Sequence, residues 1–264
     1  LLALPDIDFG IVPLHVIVGE NDYVDDDKID LTAMQEDLSS YKGKTSTSSP
    51  SPHEWENAFG DADVVFCITI TSTLSGTYNS AVIAKDIYEQ NHAGRKVYVL
   101  DSLSTGPEIA LFIEKIAELI KAGFAPDDIY KALLEYKDKT HLYFSLASLN
   151  NFAKNGRISP VIAAGIGLLG VRVVGKASDE GTLLPLDKCR GEKRALKKLI
   201  DHLKECGYTD GKIIIAHNNN EAGALELKKL IENTFGIFNG KIQKTRALCS
   251  YYAEPGSLLI GFEA

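Results

Sequence analysis

The sequence predicts an α/β protein, with an N-terminal parallel sheet flanked by helices followed by a C-terminal α+β domain. Three observations carry this. The apolar runs Val64 to Ile70 (VVFCITI) and Lys96 to Asp101 (KVYVLD) lack polar alternation, as strands buried on both faces do. Helical periodicity follows each, at Ala81, Val82, Ala84 and Ile87 and again over Ala110 to Leu119. From His141 onward the texture shifts to short strands bounded by turn residues. A chain of 264 residues, 45% of them hydrophobic, supports a sizeable core.

In chain order, Ile11 to Val18 (IVPLHVIV) reads as a strand that Pro13 places at a sheet edge or at its own start. The acidic stretch after it, with Asp22, Asp25, Asp26 and Asp27, lacks the glycine and terminal glutamate of an EF-hand, so a solvated turn is expected. Ile29 to Tyr41 has helical spacing. Lys44 to Pro52 (KTSTSSPSP) reads as a stiff, donor-rich loop, with a helix from His53. Ser72 to Ala81 (STLSGTYNSA) joins the central strand to its helix. A helix start presents unpaired N–H groups and a positive dipole end, and Ser72, Thr73, Ser75 and Thr77 add hydroxyls, a combination that suits a small anion. Equally, Ser75 or Thr77 could simply cap the helix. Pro107 opens the next helix, Gly123 ends it, and Pro126 begins another that runs to about Lys137.

The second half begins with a strand at Leu142 to Leu146 and a polar loop over Asn155 to Ser159. The slender run VIAAGIGLLG follows, whose Ala163, Ala164, Gly165 and Gly167 either leave room for a slim apolar ligand or permit close helix packing. Val171 to Gly175 and Thr182 to Cys189 form a hairpin around Asp179-Glu180-Gly181. Glu192 to Cys206 and Glu221 to Phe235 are amphipathic helices, and Ile213 to His217, Lys241 to Leu248 and Leu258 to Phe262 are strands.

Composition narrows the function. A formal charge of −8 disfavours a nucleic-acid partner. Cys67, Cys189, Cys206 and Cys249 show no CxxC spacing, which fits a reducing cytoplasm. No apolar run approaches the roughly 20 residues that span a bilayer, since Arg172 interrupts Val161 to Val174. Gly43-Lys44-Thr45 is not a P-loop, because Leu38 stands where its first glycine belongs. No metal is expected: His53-Glu54 is followed by Asn57 where a zinc-protease motif needs histidine. Ser75 lies outside any G-x-S-x-G elbow and has no assignable base, and His217 at a strand end reads as structural.

Several segments, taken in order, resemble the DegV family of bacterial fatty-acid-binding proteins. Ile11 to Leu14 resembles its first-domain strand, and Thr47-Ser48-Ser49-Pro50-Ser51-Pro52 its TSQPSP loop with Ser49 in place of glutamine. Ser75-Gly76-Thr77-Tyr78 resembles LSGTY, Asp101-Ser102 the DS that ends the next strand, Gly156-Arg157-Ile158-Ser159 the GRIS segment, and Lys188 to Lys193 the KxRGxK segment. The resemblance implies a two-domain protein. Residues 1–143 would carry the TSxP and LSGT loops, and residues 144–264 would close over the tail of one long-chain fatty acid. It further implies carboxylate binding by Thr47, Ser48, Ser75, Gly76, Arg190 and Tyr252, and a tail tunnel that includes Ile162, Ala163, Ile166 and Leu168. The bound ligand is then the fatty acid, with no cofactor and no catalytic residue, and the partner is a separate fatty acid kinase subunit. Two departures stand out. Tyr252 occupies the position of the histidine in the family's HxGPG segment, and a phenol donates a hydrogen bond but carries no positive charge. The family's opening TDS strand is absent before Leu1, so a preceding segment is expected. The residues alone leave other readings open. Arg190 could form a surface salt bridge or, with Lys188, Lys193 and Arg194, a basic patch for an acidic partner. Ser75 or Thr47 could serve a small-molecule hydrolase or phosphotransferase, or the tunnel could be filled and the protein serve as an interaction module.

Overall fold

The computed structural model describes residues 7–159 and 170–264. Strand β1 (His15–Val18) buries Val16 and Val18 on one side. It pairs antiparallel with β2 (Asn21–Val24) and β3 (Thr45–Ser48), in the order β2-β1-β3. The N-terminal half is therefore not one parallel sheet. Among its described residues the parallel pairing is confined to β4 (Val64–Thr69) and β5 (Lys96–Asp101). A two-residue link at Gly19-Glu20 can only reverse the chain, so β1 and β2 must run antiparallel. The stretch read as loop, Thr45–Ser48, is strand β3, since β-branched threonines alternating with serines suit an edge strand. Helix α1 (Leu31–Ser40) is capped by the Asp30 carboxylate, which accepts from the N–H groups of Thr32 and Ala33. Helix α2 (Pro52–Phe59) has proline in its first turn and a reciprocal capping box between Ser51 and Glu54, so the second half of the TSSPSP segment turns straight into helix.

Helices α3 (Thr77–Asn91), α4 (Pro107–Lys121) and α5 (Pro126–Lys137) complete the N-terminal half. Trp55, Phe59, Ala81 and Tyr88 of α2 and α3 pack with Cys67, Val97 and Val99 of β4 and β5. Leu100 packs instead among Leu111, Phe112 and Leu133 of α4 and α5. The remaining strands form a third, six-stranded sheet in the order β10-β9-β11-β6-β7-β8. These are β6 (Thr140–Leu146), which the short helix α6 (Asn150–Lys154) follows in the chain, β7 (Val171–Ala177), β8 (Leu183–Arg190), β9 (Ile213–His217), β10 (Gly240–Lys244) and β11 (Leu258–Glu263). One face packs on α7 (Glu192–Glu205) and α8 (Glu221–Phe235), through Leu199, Leu203, Leu227 and Ile231. On the other face Ile214 joins the cluster of Leu100, Leu111 and Phe112. Helix α4 is thus shared by the β4–β5 pair and the six-stranded sheet. Its N-terminus lies so close to β11 that a Cβ on Gly261 would stand 2.5 Å from the Glu108 nitrogen, leaving room only for glycine.

Three sequence expectations change here. Strand β6 spans residues 140–146 and belongs wholly to the six-stranded sheet, so a division after residue 143 would cut through it. The strand expected over Lys241–Leu248 stops at Lys244, and α9 (Ala247–Ala253) follows. Asp25 explains this helix. It is 9% exposed rather than solvated, and its carboxylate accepts from the N–H groups of Ala247 and Leu248, each at 3.1 Å. A side chain 222 residues away caps α9.

Glu108, in the first turn of α4, is buried with a hydroxyl hydrogen bond from Ser104 to one oxygen and one from Thr140 to the other, the latter at 2.8 Å. Desolvation outweighs these donors and raises its carboxyl above the ordinary carboxylate range. A raised acid contributes stability that is complete below the unfolded-state pKa and is lost as pH rises through the folded-state value. Glu108→Gln is therefore expected to gain on the wild type as pH climbs above about 4.5, read as urea midpoints across pH. Parallel profiles for the two proteins would rule this out.

Candidate ligand site

Three segments distant in the chain meet at the carboxyl end of β4 and the edge of β3. β3 contributes Thr47, whose hydroxyl shares a 2.8 Å hydrogen bond with the Tyr252 hydroxyl of α9. The phenol is fixed by its neighbours, with the Phe152 ring centroid at 4.8 Å and that of Tyr251 at 4.9 Å. Just past β3, the Ser49 hydroxyl lies 3.0 Å from that of Ser75, which in turn lies 2.7 Å from that of Thr77. Gly76 is the N-cap of α3 and brings no side chain to the helix end; Ser75 accepts the Thr77 N–H at 3.3 Å. The result is a row of neutral hydroxyls beside a positive helix end, an arrangement that replaces the water around an oxyanion.

A second hydroxyl network lies behind the first. Tyr251 is fully buried, and its hydroxyl meets Thr45 at 2.7 Å and the Asn155 side-chain amide at 2.8 Å. Burial pushes the Tyr251 phenol above its ordinary value, which keeps it neutral. On the outer side of the Ser72–Gly76 loop is a pocket of about 470 Å³ that Ser75, Tyr78, Asn79 and Arg157 help to line. The Arg157 Nε donates to the Leu74 carbonyl at 3.2 Å, and its guanidinium also donates to the Asn155 carbonyl. Among the described residues no histidine or carboxylate is hydrogen-bonded to Ser75 or Thr47.

The structure thus brings Thr47, Ser75, Gly76 and Tyr252 into one region. Ser48 is exposed, and among the described residues its hydroxyl donates only to the Ser49 carbonyl, at 3.3 Å. Arg190 stands apart from this group. It is exposed at the last position of β8 and makes no hydrogen bond or ion pair among the described residues. Alternation along β8 explains why, since the neighbouring Cys189 takes the inward position. The cation next to the Ser75 loop is Arg157 instead, and the GRIS segment was the signal for it. Ser49 was missed because its role depends on a neighbour across a fold contact. The expected tail residues Ile162, Ala163, Ile166 and Leu168 lie outside the described residues.

Comparison with known proteins follows the same line. A family model described as an uncharacterised protein of the DegV family matches residues 3–264. The chain belongs to the DegV family. A DegV domain-containing protein of Streptococcus pneumoniae (strain ATCC BAA-255 / R6) is 42% identical over 255 residues, covering 97% of this chain and 91% of the relative. A DegV family protein from Eubacterium eligens, loaded with heptadecanoic acid, superposes with a TM-score of 0.97 at 39% identity, over 100% of this chain and 96% of that one. The Streptococcus pneumoniae Fatty Acid Kinase (Fak) B3 protein, loaded with linoleic acid, superposes with a TM-score of 0.94 at 42% identity, over 96% and 90% of the two chains. The two-part α/β architecture is therefore that of DegV proteins.

Proposed function

We propose that this protein is a non-catalytic carrier that binds one long-chain fatty acid and presents it to a separate fatty acid kinase. The observation that carries this reading is the convergence of Thr47, Ser49, Ser75 and Tyr252 hydroxyls from three distant segments, with no histidine or carboxylate hydrogen-bonded to Thr47 or Ser75 among the described residues. Such a site binds a carboxylate without reacting with it. The ligands of the Eubacterium eligens and Streptococcus pneumoniae relatives support the same class. Two units fit the reading better when divided before Thr140, so that β6 stays whole.

The energetics favour such a carrier. Burying about 14 methylenes at roughly 0.8 kcal/mol each gives about 11 kcal/mol before association costs. An unpaired, desolvated carboxylate would cancel much of that, so the hydroxyl row decides whether an acid is held at all. Among the described residues no helix is long and apolar enough to cross a membrane, and with four free cysteines we place the carrier in a reducing cytoplasm.

Native mass spectrometry followed by organic extraction tests this. The expected result is one equivalent of long-chain fatty acid per chain, with no turnover of acyl esters. Protein that never retains fatty acid when loaded, or that hydrolyses esters through Ser75, would overturn the proposal.

A further inference from the structure

The head-group loop is held from the other half of the molecule. The turn of the β7–β8 hairpin is itself stiff: Ser178 N–H donates to the Thr182 carbonyl at 2.8 Å, Gly181 N–H to the Ser178 carbonyl at 2.8 Å, and the two side-chain hydroxyls lie 2.9 Å apart. Its carbonyls face the loop that follows β4. The buried Thr71 hydroxyl donates to the Gly181 carbonyl at 2.8 Å, and the Thr73 hydroxyl to the Glu180 carbonyl at 2.6 Å. The Thr71 N–H is meanwhile taken by the Ser104 carbonyl at 2.9 Å, so the hydroxyl and the N–H of this residue are both committed. The approach tolerates no extra atom. A Cβ on Gly181 would stand 2.2 Å from the Thr71 Oγ1, and its φ of +77° also favours glycine.

We propose that the β7–β8 turn is a positioning element for ligand binding, setting through Thr71 and Thr73 where Ser75 stands relative to Ser49. This inference rests on the fatty-acid reading. Ser75 is four residues from Thr71, and the intervening backbone is tied down by the Leu74 N–H to Thr71 carbonyl bond at 3.4 Å and by Arg157 on the Leu74 carbonyl. A shift at Thr71 is therefore passed to Ser75. It moves a head-group donor without touching the tail. Separation of the β4–β5 pair from the six-stranded sheet would loosen the carboxylate at the same moment, which couples domain opening to ligand release.

The test compares hexadecanoic acid with its methyl ester on Thr71→Val, Thr71→Ser and Thr73→Val proteins, each loaded from the stripped full-length chain. Thr71→Val is expected to weaken the acid about ten- to a hundredfold and the ester less than about threefold, with Thr71→Ser restoring the acid. Thr73→Val, at an exposed residue that keeps the fold intact, is expected to act in the same direction by a smaller factor. Acid and ester falling together, or neither changing, would overturn the positioning role while leaving the carrier reading in place. Wild-type protein that holds acid and ester equally would instead sink the carboxylate site itself, and this inference with it.

Discussion

Thr47→Val combined with Ser75→Ala is expected to weaken hexadecanoate binding by about two orders of magnitude, with little change in the urea midpoint. A buried hydrogen bond to a charged group contributes about 1.5–3 kcal/mol. Thr47 acts with Tyr252, and Ser75 acts between Ser49 and Thr77, so each substitution removes a donor and leaves its neighbours competing for the remaining lone pairs. On the proposed reading the two sites serve one carboxylate, so their effects should not add fully, and a combined loss of about 3 kcal/mol is the expected outcome. Valine keeps the shape of threonine, and both positions are only half buried, so the cost to folding stays small. Competition titration against a fluorescent fatty acid gives the measurement. A loss below threefold would mean that the carboxylate is bound elsewhere.

The sequence made the local parts of this site legible. An apolar strand, a hydroxyl-rich turn and a helix over residues 64–91 follow from periodicity and helix-end chemistry, and β4 and α3 stand where expected. The DegV resemblance singled out Thr47, Ser75 and Tyr252, and two hydroxyl pairs, Thr47 with Tyr252 and Ser49 with Ser75, bring their segments together. What the sequence could not yield are contacts whose partners are far apart in the chain. The Tyr252 bond to Thr47 spans 205 residues and depends on α9 lying against β1, a packing in which Val16, Val18 and Met34 meet Ala247 and Tyr251. Arg190 shows the same limit from the other side. Strand alternation turns it outward, and the side chain that reaches the loop comes from residue 157. Composition suggested that the aspartates near residue 25 were solvated, yet one of them is a buried cap, because acidity alone does not tell which carboxylate will meet a helix end.

Asp25→Ala is expected to produce the largest loss of stability of any single change considered, about 2–4 kcal/mol. The Asp25 carboxylate accepts from the Ala247 and Leu248 N–H groups at 3.1 Å each and from the Arg246 Nε at 3.2 Å, while the Asp25 carbonyl takes the Arg246 guanidinium at 2.7 Å. Arg246 is the N-cap residue of α9 and supplies no side-chain cap of its own. Alanine would therefore leave two buried N–H groups without an acceptor and half of an ion pair without its partner. Asparagine should recover part of the loss, because its carbonyl oxygen can still cap one N–H while its amide faces the other. The change reaches the ligand site too. Helix α9 presents Tyr251 and Tyr252, so fraying its first turn lets both phenols drift from Thr45 and Thr47. Fatty-acid release should accordingly quicken in the alanine variant even at temperatures where it stays folded, measured by transfer to acceptor vesicles. A variant with a lowered urea midpoint and an unchanged release rate would show that α9 holds its tyrosines by packing alone, without help from the cap.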